Sequence, residues 1–159
     1  MNNNLAPIAL FVYNRLEKTK QTISYLLKNQ ESKDSILYIY SDGPKNIKEK
    51  NIIYKVRKFL NTITGFKKIK IIKRDANLGL SKSIILGVTE ILKFSENIIV
   101  LEDDMLTSPY FLKFMNDGLI LYQNENKVAS IHGYTYPIPE NLPNTFFIRG
   151  ADCWGGATW

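Results

Sequence analysis

The sequence predicts an α/β fold: a mostly parallel central sheet with helices on both faces. Two observations carry this expectation. Short, nearly continuous apolar runs alternate with longer segments of helical periodicity, in the order βαβαβαβαβ. No internal repeat, low-complexity tract or linker interrupts that order, so the 159 residues read as a single domain, 1–159.

Each element has its own reason. Pro7–Tyr13 (P-I-A-L-F-V-Y) is an apolar run of the kind buried on both faces, and predicts a strand. Leu16, Thr19, Ile23, Leu26 and Leu27 follow at helical spacing, and Ser35–Tyr40 returns to a strand. Ile52, Ile53, Val56, Phe59 and Leu60 mark a second helix, and Lys67–Lys73 alternates as a strand. Leu80, Ile84, Ile85, Val88, Ile91 and Leu92 make the clearest amphipathic helix, and Asn97–Leu101 another buried strand. Ser108 is placed as an N-cap with Pro109 at the first helical position, ahead of Phe111, Leu112, Met115, Leu119 and Tyr122 on one face. Val128–Ile131 and Thr145–Ile148 are the fifth and sixth expected strands. Gly133–Asn144, with its prolines, is a surface loop, and Arg149–Trp159 is rich in Trp and Gly without a regular period.

Composition narrows the functional classes. Hydrophobic residues make up 45% and charged residues 23%, which fits a packed core and argues against disorder. A single cysteine, Cys153, forms no internal disulfide, and without a neighbouring His or Cys it supports neither a dyad nor a zinc site. The N-terminus lacks the charge and apolar block of a signal peptide, and the apolar runs are far too short to span a membrane. The default expectation is therefore cytoplasmic. The net charge of +6 comes from 17 Lys and 4 Arg scattered along the chain. Readers of nucleic acid favour Arg concentrated on one element, so no nucleic-acid partner is expected. Most of this charge is a solvated face; the remainder suits an anionic ligand or peripheral contact with the inner face of a membrane.

In open parallel sheets ligands bind at the carboxyl ends of strands. Asn14-Arg15, Ser41-Asp42-Gly43-Pro44, Asp75-Ala76-Asn77-Leu78-Gly79 and Glu102-Asp103-Asp104 all fall there, and His132 ends the fifth strand at the same edge. Three consecutive carboxylates after Ile98-Ile99-Val100-Leu101 repel one another, and a divalent cation relieves that repulsion. A solvated turn leading to the next helix is the alternative; the position after a buried strand favours the metal. Arg15 opens a helix, where the macrodipole favours an anion and a guanidinium matches phosphate oxygens. Lys82, in the first turn of its helix, also suggests a nearby anion. Neither a G-x-G-x-x-G nor a Walker-type loop is present.

Taken together, A-P-I-A-L-F-V-Y-N-R (6–15), S-D-G-P (41–44), N-L-G-L (77–80), I-I-V-L-E-D-D (98–104) with S-P-Y-F (108–111), and R-G-A-D-C-W-G-G-A-T-W (149–159) resemble the nucleotide-sugar-binding half of GT-A-fold glycosyltransferases. The likeness is to bacterial family 2-type sugar transferases of surface-polysaccharide synthesis and to the N-acetylglucosaminyltransferase I type. The resemblance implies a Rossmann-like fold and metal-dependent, inverting transfer from a nucleoside-diphosphate sugar, UDP-sugar favoured, to a saccharide or lipid-linked hydroxyl. It implies that Asp104 is the Mn²⁺ or Mg²⁺ ligand in a D-x-D-type motif. Glu102 and Asp103 would contact the donor sugar and ribose, Asn14-Arg15 the pyrophosphate, and Asp42 the uracil ring, with Asn77 and Lys82 near the donor. The family's base lies downstream of the G-x-x-W segment, in an acceptor-binding part that the sequence is expected to lack. Asp152 is the acidic residue in the final segment and the candidate base. The alternative reading is a truncated, non-catalytic nucleotide-sugar-binding module that needs a partner chain. A sugar nucleotidyltransferase ranks lower, because Tyr13-Asn14-Arg15-Leu16 stands where a G-x-G-T-R-like loop would be.

Overall fold

The computed structural model describes residues 5–137, 141 and 143–159. The chain order is β1 (Ile8–Val12), α1 (Leu16–Leu26), β2 (Ile36–Ser41), α2 (Lys50–Leu60), β3 (Lys68–Lys73), α3 (Leu80–Leu92), β4 (Ile98–Glu102), α4 (Phe111–Tyr122), β5 (Ile131–His132) and β6 (Gly156–Thr158). The strands form one sheet in the order β3-β2-β1-β4-β6-β5. β1, β2, β3 and β4 run parallel, and β6 is antiparallel to both β4 and β5. The fold is thus the expected mixed α/β sheet, mostly parallel, with helices on both faces.

The two faces read directly from strand alternation. Ile8, Leu10 and Val12 join Leu37, Ile39, Ile99 and Leu101 in a core closed by α1, α2 and α4 through Ile23, Leu26, Val56, Leu60, Leu112, Met115 and Leu119. Ala9 and Phe11 point the other way, with Tyr38, Tyr40 and Ile98, and α3 covers them through Ile91, Ile84, Val88 and Leu92. Every β1 residue is buried because helices cover both faces of this central parallel strand. β3 sits at the sheet's edge with Lys68 and Lys73 exposed, charges that discourage edge-to-edge pairing.

Three expectations need correction. Thr145–Ile148 is not a strand; the place beside β4 belongs to Gly156–Thr158, paired Ile98↔Thr158, Ile99↔Ala157 and Val100↔Gly156. Phe147 and Ile148 remain exposed, with Phe147 edge-on to Tyr122. The run Gly-Ala-Thr carries no apolar signal, because small residues suffice where a strand is sandwiched under α4. The fifth strand is Ile131–His132 rather than Val128–Ile131.

The start of α4 also moves. Its cap position is Tyr110, not Ser108, although the Ser108 hydroxyl does accept from the Tyr110 amide at 3.2 Å. The helix is capped from a distance: buried Asn29, at the end of α1, accepts from the Leu112 amide at 2.9 Å and donates to the Leu26 carbonyl at 3.1 Å. Asn116, also buried, accepts from the Ala6 amide at 2.9 Å and ties α4 to the entry of β1. Buried Asn29 therefore does what a local capping residue does elsewhere, and Asn116 satisfies a buried amide beside β1.

Gly87 sets how closely α3 approaches the sheet. A Cβ there would lie 2.8 Å from the Phe11 ring and 3.1 Å from Tyr40. Those two rings stack with centroids 5.1 Å apart. Helix propensity alone would make Gly87→Ala stabilising by about 1 kcal/mol. We expect the opposite sign, a loss of roughly 1–3 kcal/mol from overpacking, read as a lower urea midpoint at unchanged slope.

Candidate functional site

From β1 the chain proceeds outward through β2 and β3, then returns to place β4 on the other side of β1. The two loops leaving β1 and β4 therefore part company at the carboxyl edge and leave a crevice, the position at which open α/β sheets bind ligands. A cleft of about 330 Å³ opens there, lined among others by Arg15, Asp42, Asn77, Ser83, Glu102 and Asp103. A second cleft, of about 320 Å³, begins on the other side, at Asp104.

Arg15 stands between them. Leaving β1 at the cap of α1, its guanidinium lies 2.6 Å from Asp103 Oδ1 and 2.8 Å from Asp104 Oδ2. Asp103 is only 2% exposed, and its other oxygen accepts from the Tyr13 amide at 3.2 Å. Burial pushes the Asp103 carboxyl up, against the pull of that amide and of Arg15. Burial, then the neighbouring Asp104 and Asp103 charges, push Glu102 up as well. Burial disfavours the Arg15 charge, but the two aspartates outweigh it and its pKa is raised. Three carboxylates against one guanidinium leave two excess negative charges when all are ionised, a balance suited to a divalent cation. Among the described residues no three His, Cys, Asp or Glu side chains converge into a metal cage. The donor set that fits is a carboxylate completed by phosphate oxygens from a ligand, the usual arrangement for Mg²⁺.

Asp42 is held differently. Its two oxygens accept from the amides of Gly43 (2.9 Å), Leu78 (2.9 Å) and Gly79 (3.0 Å) and from Asn77 Nδ2 (3.0 Å). This buried carboxylate clamps the segment entering α3 onto the end of β2. Gly43 permits the contact, since a Cβ there would lie 2.5 Å from the Ala76 backbone. Arg57 braces the same corner, donating to the carbonyls of Asp42 (3.2 Å) and Arg74 (2.5 Å) and to Ser41 Oγ (3.1 Å).

The structure brings Asn14, Arg15, Asp42, Asn77, Glu102 and Asp103 to the first cleft and puts Asp104 on the second. Lys82 is exposed and lines neither. Asp152 also lines neither; its Oδ1 accepts from the Cys153 and Trp154 amides at 2.6 and 3.2 Å. His132 pairs with Ser130 Oγ at 2.7 Å, and Cys153 is exposed. Sequence reasoning missed Tyr13, Lys45, Glu49 and Ser83, which line the first cleft. Ser83 is 4% exposed, and its hydroxyl has no partner among the described residues. Asn46-Ile47-Lys48-Glu49 has capping-box spacing, the one local hint that Glu49 is positioned.

Glu49 folds back to accept from the Tyr13 hydroxyl, the Lys45 amide (2.9 Å) and Asn14 Nδ2 (3.4 Å), forming the cleft's outer wall. Burial, then the bond to Glu49, push the Tyr13 phenol up to about 12, while Tyr13 and the Lys45 amide pull Glu49 down. The signs are opposite. The Tyr13 contribution is complete below the ordinary 10.0 and lost as pH rises through about 12. The Glu49 contribution is present above the ordinary 4.5 and lost as pH falls through its lowered value. A tyrosinate absorbance titration, wild type minus Tyr13→Phe, should show one phenol ionising near 12. In Glu49→Gln it should move part of the way back towards 10.0, burial holding the rest; no movement would remove Glu49 as a cause.

No protein-family model and no curated protein matches the chain. Solved structures do. The mannosyltransferase PcManGT from Pyrobaculum calidifontis, in complex with GDP-Man and Mn²⁺, superposes with a TM-score of 0.54 at 8% identity, over 81% of this chain and 35% of its own. TarS of S. aureus superposes with a TM-score of 0.52 at 17% identity, over 82% of this chain and 23% of its own. At such identities the likeness is one of fold, and the chain spans about a third or less of either neighbour's length. The sheet and its helices share the fold of these two proteins.

Proposed function

We propose that the chain is the nucleotide-sugar-binding part of a glycosyltransferase, moving a glycosyl group from a nucleoside-diphosphate sugar to a hydroxyl acceptor with inversion. The observation that carries this is the Arg15–Asp103–Asp104 cluster at the crevice between β1 and β4. Supporting it, a neighbour of the same fold is described in complex with GDP-Man and Mn²⁺. A UDP-sugar is the favoured donor on the resemblance of the motifs.

In this reading Asp104 would hold Mn²⁺ or Mg²⁺, and the chemistry such an ion would supply is positive charge towards a leaving diphosphate. Arg15, already within reach of both aspartates, supplies a second positive charge to the diphosphate oxygens. Glu102 and Asp103 accept from sugar and ribose hydroxyls. Asp42 acts on the nucleobase through the loop it clamps, because its oxygens already accept four donors, which fills a carboxylate's capacity. Asp152, which lines neither cleft, is the candidate base on the resemblance of the motifs alone. The second reading, a non-catalytic module completed by another chain, is favoured by the commitment of Asp152 Oδ1 to its own backbone. Donor hydrolysis or transfer by the 159-residue chain would exclude it.

Calorimetry with UDP and GDP, with and without Mn²⁺, tests the reading on wild type and Asp104→Ala. Nucleotide binding should strengthen with the metal, and Asp104→Ala should lose at least about tenfold of that gain, or 1.4 kcal/mol. Metal-independent binding by both proteins, or no binding at all, would refute it.

A further inference from the structure

The net charge of +6 is unevenly divided. Residues 1–73 hold 15 of the 21 Lys and Arg but only 5 of the 15 Asp and Glu. They build β1, α1, β2, α2 and β3, so the basic surplus lies towards the β3 end of the sheet. The acidic surplus lies towards the β6 and β5 end. Solubility alone requires no such separation of charge.

α2 gathers part of this surplus into a row. Ile53, Val56 and Leu60 are its buried side. Lys50, Tyr54 and Lys58, at i, i+4 and i+8, form the opposite side, with Asn51 and Lys55 beside them. The short 3₁₀ turn Ile47–Glu49 leads into the helix and adds Lys48. All four lysines are exposed, and among the described residues none is in an ion pair. Nearby acids are engaged elsewhere. Glu49 turns inward to the Tyr13 hydroxyl and the Lys45 amide, and on α1 Glu17 is held by Lys20 at 2.8 Å. Lys45 itself lies over the Tyr13 ring, 5.7 Å from its centroid, and belongs to the first cleft. A lysine at the head of α2 works against the macrodipole, and no acidic residue in the first turn offsets it. Local stability therefore does not account for the row; an external anion does.

Two apolar side chains stand among these lysines. Ile47 is 76% exposed and Tyr54 65%, although each would gain from burial. Together, charge and apolarity select the occupant. Nucleic acid is gripped by arginine forks, or by a groove whose aromatic rings stack on bases. Here the outer side of a helix carries lysines, and Ile47 would be left against phosphates. A folded acidic protein would need a carboxylate in register with each lysine. An anionic bilayer meets every part of the pattern. Its fluid headgroups gather round point charges, a tyrosine lies at headgroup level, and an aliphatic side chain reaches the acyl boundary.

We propose that residues 47–58, the outer side of α2 and the turn before it, dock on an anionic lipid surface. The same segment walls the first cleft through Glu49 and braces the Asp42 corner through Arg57. Docking therefore brings that cleft close to the bilayer. The docking surface stands whatever the cleft binds.

Co-sedimentation of the whole chain with lipid vesicles provides the test. The probes are vesicles of phosphatidylcholine alone and of an equimolar mixture with phosphatidylglycerol, at low and high salt. The chain should sediment with the anionic vesicles and not the neutral ones, and salt should weaken its binding. Lys50→Glu combined with Lys58→Glu should lower the partition coefficient at least about tenfold. Lys93→Glu combined with Lys127→Glu alters net charge equally on the other half, and should stay within about twofold of wild type. Ile47→Ser and Tyr54→Ser, which leave the charge unchanged, should each lower partition about threefold or more. Should the double reversal in α2 lose its cooperative melt, Lys50→Gln with Lys58→Gln takes its place. No sedimentation with anionic vesicles, or an equal loss in the two charge-reversed pairs, would overturn the docking surface. Unchanged partition in both Ile47→Ser and Tyr54→Ser would overturn lipid as its occupant, and retention on duplex DNA would then assign the face to nucleic acid.

Discussion

β1 has a parallel partner on each side, and the site depends on that constraint. Its backbone groups are shared between β2 and β4, in register from Ile8 to Val12 on one side and Ile8 to Phe11 on the other. Parallel pairing sends all four strand ends to one edge, so Asn14-Arg15, Asp42, Arg74 and Glu102–Asp104 meet there. The outward turn of the chain through β2 and β3, and its return at β4, separates the loops after β1 and β4. A charged cluster at the strand ends follows from topology before any ligand is considered.

Within the cluster, hydrogen bonding sorts the carboxylates into two kinds. Asp42 is saturated by backbone amides and a side-chain amide, and holds the loop into α3. Asp104 pairs with the exposed Arg15 guanidinium; Asp103 shares that guanidinium and accepts from the Tyr13 amide, and burial still pushes it up. A saturated carboxylate acts as scaffold; one paired only by a mobile charge can exchange that partner for another cation. The buried Ser83 hydroxyl, with no partner among the described residues, is likewise open to a ligand. This contrast separates residues that shape the cleft from those available to a ligand within it.

The antiparallel addition of β6 and β5 completes the edge. By occupying the place beside β4, β6 brings the 152–155 segment up to the carboxyl ends of parallel strands, while β5 brings 133–136 alongside it. One register thereby sets Trp154 against Tyr134 and Asp152 near Tyr136, and gives Asp104 a cleft on its second side.

The first four strands and all four helices were legible in the sequence, because burial on both faces forces continuous apolar runs and one-sided burial forces helical spacing. The Asn14-Arg15, Asp42, Asn77 and Glu102–Asp104 stretches were legible as a set, since each follows a strand. Long-range partnership was not. Asn29 capping α4, Glu49 reaching Tyr13, Arg57 bracing the Asp42 corner and the pairing of Gly-Ala-Thr with β4 join residues far apart in the chain. Local pattern records what a residue needs, such as burial, a cap or a turn, and so determined the fold class and the edge where polar groups gather. Tertiary structure decided which group meets each need, and with it the partners of each carboxylate and the meeting of Trp154 with Tyr134.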